Sequence, residues 1–112
     1  MARKDLSLVA KAKIMDLARC VGYRAGSVVS KVVVRNTAGN VTLFSFDAHE
    51  GLSEHVAPFD ALVCVLDGEA KIRISDKTYR LKSGQSIILP ANKPHALEAV
   101  SRFKMMLVMI KK

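Results

Sequence analysis

The texture of hydrophobic and polar positions changes at residue 27. Before it, Leu6, Val9 and Ala10 have helical spacing but no strong cap, so residues 1–13 read as a tail or a weak helical turn. After it, Val28, Val29, Val32, Val33 and Val34 form a β-branched stretch that stops at Asn36-Thr37-Ala38-Gly39-Asn40, a cluster of turn formers. A second strand is expected over 41–46, whereas 47–54, with Gly51, reads as a loop. The apolar run 61–66 ends at Asp67-Gly68, a two-residue hairpin signal. Lys71-Ile72-Arg73-Ile74-Ser75 then alternates, which predicts one buried and one wet face. Residues 75–78 turn the chain, 79–81 pair back, Ser83-Gly84 turns it again and 86–89 form the next strand. Pro90-Ala91-Asn92-Lys93-Pro94 is a loop, 95–99 a short strand and 103–110 the last.

Short strands separated by turn signals about every ten residues predict an all-β sandwich or barrel. The expected division is an N-terminal extension, residues 1–26, and one barrel domain, residues 27–112. At 112 residues and 50% apolar content the chain can bury one core without a disulfide or metal staple. Cys20 and Cys64 are too few for a disulfide framework, which points to a reduced, cytoplasmic protein; counting alone does not say whether they bridge. No run approaches the roughly 18 apolar residues of a membrane span, and residues 1–20 lack the apolar core of a signal peptide.

The net charge of +8 first suggests a nucleic-acid partner. Its distribution argues otherwise. Residues 1–40 carry 8 basic and 2 acidic side chains, 41–70 carry none and 6, and 71–112 carry 10 and 2. With no Trp, two Tyr and four Phe, aromatic residues for stacking are sparse, and no nucleic-acid motif accompanies the charge. The basic surface is therefore read as solvated. A Ser-His-Asp or Cys-His catalytic arrangement, a P-loop and a dinucleotide fingerprint are likewise unsupported.

Two motifs carry more information. Gly84-Gln85-Ser86-Ile87-Ile88-Leu89-Pro90-Ala91-Asn92-Lys93-Pro94-His95 matches the pattern G(X)5PXG(X)2H(X)3N at its glycine, proline and histidine. Upstream, His55 and the later Val65-Leu66-Asp67-Gly68 fit G(X)5HXH(X)3,4E(X)6G. Over residues 27–110 the chain resembles a small, single-domain cupin of the RmlC-like type, which implies a double-stranded β-helix, or jelly roll. The resemblance also implies a divalent ion held by two histidines and a carboxylate of the first motif and the histidine of the second. Position by position, His55 and His95 are present, but the second histidine falls on Ala57 and the carboxylate on Ala61. The first motif's leading glycine falls on His49, and the glycine before the last histidine falls on Asn92.

Strand parity then sets the expected pocket. If His55 points inward, Ala57, Ala61, Val63 and Val65 share its face while Leu62 and Cys64 point away. His95, Leu97 and Ala99 share another inward face, leaving Glu98 outside. Phe44 and Phe46 are candidate lining residues. Two imidazoles hold Zn, Fe, Ni or Mn weakly, so a third ligand would come from the acidic middle, Glu50, Glu54 or Asp60, or from His49. Glu54 should face away from its neighbour His55, and only a bulge would turn Asp60 inward. The expected function is small-molecule binding at His55 and His95, with a weakly held metal. The alternative that the resemblance implies is a metal-dependent dioxygenase, isomerase or decarboxylase. Because a long apolar edge left open invites aggregation, residues 27–34 are expected to form a homodimer contact.

Overall fold

The structure is a computed structural model and describes residues 11–111, so the expected tail or turn over 1–13 lies largely outside the described residues. Among the described residues, a single 3-10 turn, Leu17–Arg19, precedes nine strands. These are β1 (Val28–Asn36), β2 (Gly39–Phe46), β3 (Gly51–His55), β4 (Ala61–Asp67), β5 (Glu69–Ile74), β6 (Lys77–Lys82), β7 (Ser86–Leu89), β8 (His95–Ala99) and β9 (Phe103–Ile110). They form a five-stranded sheet, ordered β1-β2-β9-β4-β7, and a four-stranded sheet, ordered β3-β8-β5-β6. Every pairing is antiparallel, and the two sheets face each other as an all-β jelly-roll barrel. No helix among the described residues is long and apolar enough to cross a membrane.

Alternation along β4, β5 and β8 supplies much of the core. In β4, Ala61, Val63 and Val65 are buried while Leu62, Cys64 and Leu66 are less so, the burial pattern of a strand with one face inward. Register places Met109, Leu107 and Met105 of β9 opposite those three residues, and Phe44 and Phe46 of β2 opposite Met105 and Phe103. Phe46 stacks on Phe103 with centroids 4.3 Å apart and planes 3° from parallel. Across the barrel, Ala70 and Ile72 of β5 and Leu97 and Ala99 of β8 complete the apolar interior.

The structure changes two sequence expectations. Residues 51–55 form β3 rather than part of a loop; most of this edge strand is exposed, so it lacks the apolar alternation that would reveal it. Asp67-Gly68 does not close a hairpin, because β4 and β5 lie in different sheets. It is a corner where the chain switches sheets, and Gly68 is needed there: its φ is +76°, and a Cβ would stand 1.8 Å from the Arg102 carbonyl oxygen. Cys20 and Cys64, whose pairing counting leaves open, are both free thiols.

The segment preceding β1 lies on the outer side of the five-stranded sheet. Val21 is buried, Ser45 Oγ donates to the Gly22 carbonyl at 2.6 Å, and Lys104 Nζ donates to the Ala18 carbonyl. Ser45 and Lys104 are paired by register on the face opposite Phe46 and Phe103. The Tyr23 hydroxyl donates to Asp67, and the Gly26 N–H donates to Asp47 Oδ2 at 2.7 Å. Burial, and then the hydrogen bond to Asp67, push the Tyr23 phenol well above its ordinary range.

Candidate functional site

His55 ends β3 and His95 begins β8, and the pairing of these strands sets the two residues directly opposite each other. The alignment depends on an irregularity. Leu52 is opposite Leu97, so an unbroken ladder would bring Glu54, not His55, to His95. The register shift between Leu52 and His55 supplies one extra residue, which lets both Leu52 and His55 face the interior. Glu54 is thereby left outside, where it pairs with Arg73 at 2.8 Å.

The rings meet edge to face, with centroids 4.2 Å apart and planes at 74°. His95 is buried, at 4% exposure, whereas His55 stands at the exposed rim. Each Nδ1 faces a backbone carbonyl, His55 that of Ser53 at 2.9 Å and His95 that of Lys93 at 3.2 Å. The two Nε2 atoms are 2.9 Å apart. A carbonyl only accepts, so each Nδ1 must carry a proton, and two neutral rings would then aim two Nε2 lone pairs at each other. One positive species between the nitrogens resolves this: a shared proton or a metal ion. A second proton is opposed, because burial, and then the neighbouring His55, lower the His95 pKa below the ordinary 6.5, partly countered by the bond to Lys93.

Behind the pair is a cavity of about 40 Å³. Ala57 and Ala61 line it, as do Leu52, Leu89, Leu97 and Leu107, and β9 adds Met105 and Met109. Of the candidate lining residues, the structure therefore brings Ala57, Ala61 and Leu97 to the histidines. Phe44, Phe46 and Val63 go elsewhere: Phe46 and Val63 are fully buried, and Phe44 packs beside Phe46 at 6.0 Å, all in the core rather than on the cavity wall. Met105, Leu107 and Met109 escaped sequence reasoning as lining residues. Their alternation in β9 was visible, but the strand's position beside β4 was not.

His49 does not join the pair. It lies in the turn between β2 and β3, exposed, with φ +69°, and its N–H donates to the Ala99 carbonyl at 3.0 Å. Asn92, also at a motif glycine position, has φ +64° and donates its N–H to the Ala57 carbonyl at 2.7 Å. Both glycines of the motifs thus mark left-handed turns that histidine and asparagine occupy here. Asp60 is exposed and accepts the Ala91 N–H at 2.8 Å. Among the described residues, no three His, Cys, Asp or Glu side chains are grouped to hold a metal.

A larger hollow, about 410 Å³, lies on the outer face of the four-stranded sheet beside Lys71, Arg73 and Glu98. It is an open groove whose charges are already matched, Lys71 with Glu98 at 3.7 Å and Arg73 with Glu54. The enclosed cavity with its convergent imidazoles is the better candidate.

Two facing antiparallel sheets around an interior cavity that opens on histidines define a jelly-roll barrel with a candidate interior site. More particularly, the chain belongs to the cupin family: the family model described as a cupin domain matches residues 42–111. A conserved protein of unknown function from Streptococcus pyogenes is 38% identical, with 93% of this chain and 91% of that one covered at a TM-score of 0.88. A cupin superfamily protein from Desulfitobacterium hafniense is 29% identical, with 93% and 95% covered and a TM-score of 0.87. A cupin 2 conserved barrel domain protein from Leptotrichia buccalis is 45% identical over 87% of this chain but only 47% of its own, at a TM-score of 0.84. No curated protein matches the chain.

Proposed function

We propose that the chain binds a compact small molecule in the barrel cavity, with His55 and His95 as its polar anchor. The carrying observation is a small apolar chamber that ends on two convergent imidazoles. By the same measure a water needs roughly 10–15 Å³, so 40 Å³ admits a fragment of about three heavy atoms. A ligand with a short aliphatic tail fits the chamber, and an anionic head suits a histidine pair that shares one proton.

The four-ligand divalent centre of the family does not fit. Ala57 and Ala61 present methyl groups to the cavity where that centre needs an imidazole and a carboxylate, and both face the chamber, so neither is replaced by a neighbour. The dioxygenase, isomerase or decarboxylase alternative depends on that centre and has no support in this donor set. A homodimer through β1 belongs to the same reading. It is supported by the position of β1 at a sheet edge, where among the described residues it is bonded to β2 alone, and by the 41% exposure of Val34.

The test is an NMR titration with acetate, propionate and butyrate, following the imidazole signals of His55 and His95. Both sets of signals should move, most for the acid whose tail fills the chamber, and Ala57→Leu at the cavity wall should weaken the response. Signals that stay in place throughout the series at millimolar acid would sink the reading.

A further inference from the structure

We infer that the cavity is a site for a soft monovalent metal ion, Cu(I), held by Nε2 of His55 and His95 together with the thioethers of Met105 and Met109. The inference rests on the reading that this cavity is the binding site. It departs from the family's divalent centre, whose ligands this chain lacks.

Three observations lead to it. First, the histidines are set as metal ligands are: each Nδ1 is fixed on a backbone carbonyl, at 2.9 Å and 3.2 Å, so each ring directs Nε2 at the same point. Their 2.9 Å separation leaves two lone pairs in need of one cation. Second, the rest of the wall offers sulfur and hydrocarbon only. Met105 and Met109 line the cavity, while the positions of the family's hard and borderline donors are the methyl groups of Ala57 and Ala61. Calcium, magnesium and manganese require oxygen ligands, and zinc takes imidazole, thiolate or carboxylate donors, of which this wall offers the two imidazoles alone among the described residues. Neutral thioether and imidazole both suit copper, and the soft sulfurs favour its monovalent state. Third, the methionines are brought there by register: Met109 is opposite Ala61 and Met105 opposite Val65, both on the inward face of β9. Three rotatable bonds let each thioether adjust its sulfur within the chamber. Burial of Met105 and His95 shields the ion from bulk water, which favours the lower charge of the monovalent state.

Thiolates also take Cu(I), so the experiment uses the full chain and a Cys20→Ser, Cys64→Ala form in parallel. Under anaerobic conditions with ascorbate, each is titrated with Cu(I) against bicinchoninate, and zinc binding is measured separately. The expected result is one Cu(I) per chain in both forms, with sulfur in the copper X-ray absorption spectrum and weaker binding of zinc. Met105→Leu combined with Met109→Leu conserves core volume, and His55→Ala leaves the buried ring in place. Each should weaken Cu(I) binding by about tenfold or more, the lower end of what even an outer partner of a metal ligand contributes.

Failure to draw Cu(I) from bicinchoninate overturns the inference, as does binding that vanishes with the cysteines, survives the leucine substitutions, or is matched by zinc. If Cu(I) is refused while the short carboxylates still shift His55 and His95, only the metal inference falls. If both are refused, the cavity reading falls with it.

Discussion

Almost no solvent reaches the His95 ring, and this makes it a pH sensor for folding. Burial, and secondarily His55, hold its folded pKa below 6.5, so the native state binds fewer protons here than the unfolded chain does. The sign follows: the contribution to stability is complete above about 6.5 and is lost as pH falls through the lower folded value. Denaturant midpoints measured from neutral to acidic pH should therefore decline, and His95→Leu should flatten that part of the curve. His49 makes the contrasting case. Its φ of +69° marks it as a turn residue, so His49→Gly should stabilise by up to about 1 kcal/mol while leaving binding at His55 and His95 unchanged. Chemical denaturation beside the carboxylate titration checks both parts; lost binding would return His49 to the site.

Among the elements, the segment before β1 is held by a few polar links that the linear sequence conceals. Asp47 is the central one. Hydrogen bonds from the Gly26 N–H, then from the Arg102 side chain at 2.8 Å, then from the Ala48 N–H, hold its carboxyl down to about 2 from an ordinary 3.8. This depressed value means stability that is present above 3.8 and lost as pH falls through about 2. Asp47→Asn should remove that acid-dependent part and lower the thermal midpoint at neutral pH, with hydrogen exchange rising first at residues 18–26. Exchange that stays unchanged would show the segment to be held by Val21 and its apolar contacts alone. The strand β3 shows a different limit: its backbone pairs with β8, but four of its five residues are exposed, so side-chain pattern carries little trace of it.

For the whole molecule, charge counted along the chain misleads because folding separates neighbours. The acidic stretch 41–70 is dispersed: Asp47 and Asp67 hold the N-terminal segment, Glu54 and Glu69 pair with Arg73 and Arg80, and Asp60 accepts a loop N–H. None of these carboxylates lines the cavity. The outer side of the five-stranded sheet carries exposed Val34, Ile88 and Ile110, and among the described residues β1 leaves one edge open. A homodimer is the expected state, with light scattering at micromolar concentration as the check. Val34→Glu should raise its dissociation constant roughly tenfold, about 1.4 kcal/mol, and a monomeric parent chain would contradict the expectation.

The alternation of valines and other apolar residues and the turn clusters suffice for an all-β sandwich or barrel, and the resemblance that the two motifs carry adds the jelly roll, with His55 and His95 as its polar landmarks. These are local properties, written in period-two spacing and in residues that tolerate tight turns. The composition of the site is another matter. Inward-facing residues of β3 depend on one irregular pairing step, and Phe44 and Phe46 go to the core while Met105 and Met109 reach the cavity because β9 lies between β2 and β4. Those outcomes depend on which strands become neighbours and in what register, a long-range property that no local spacing encodes.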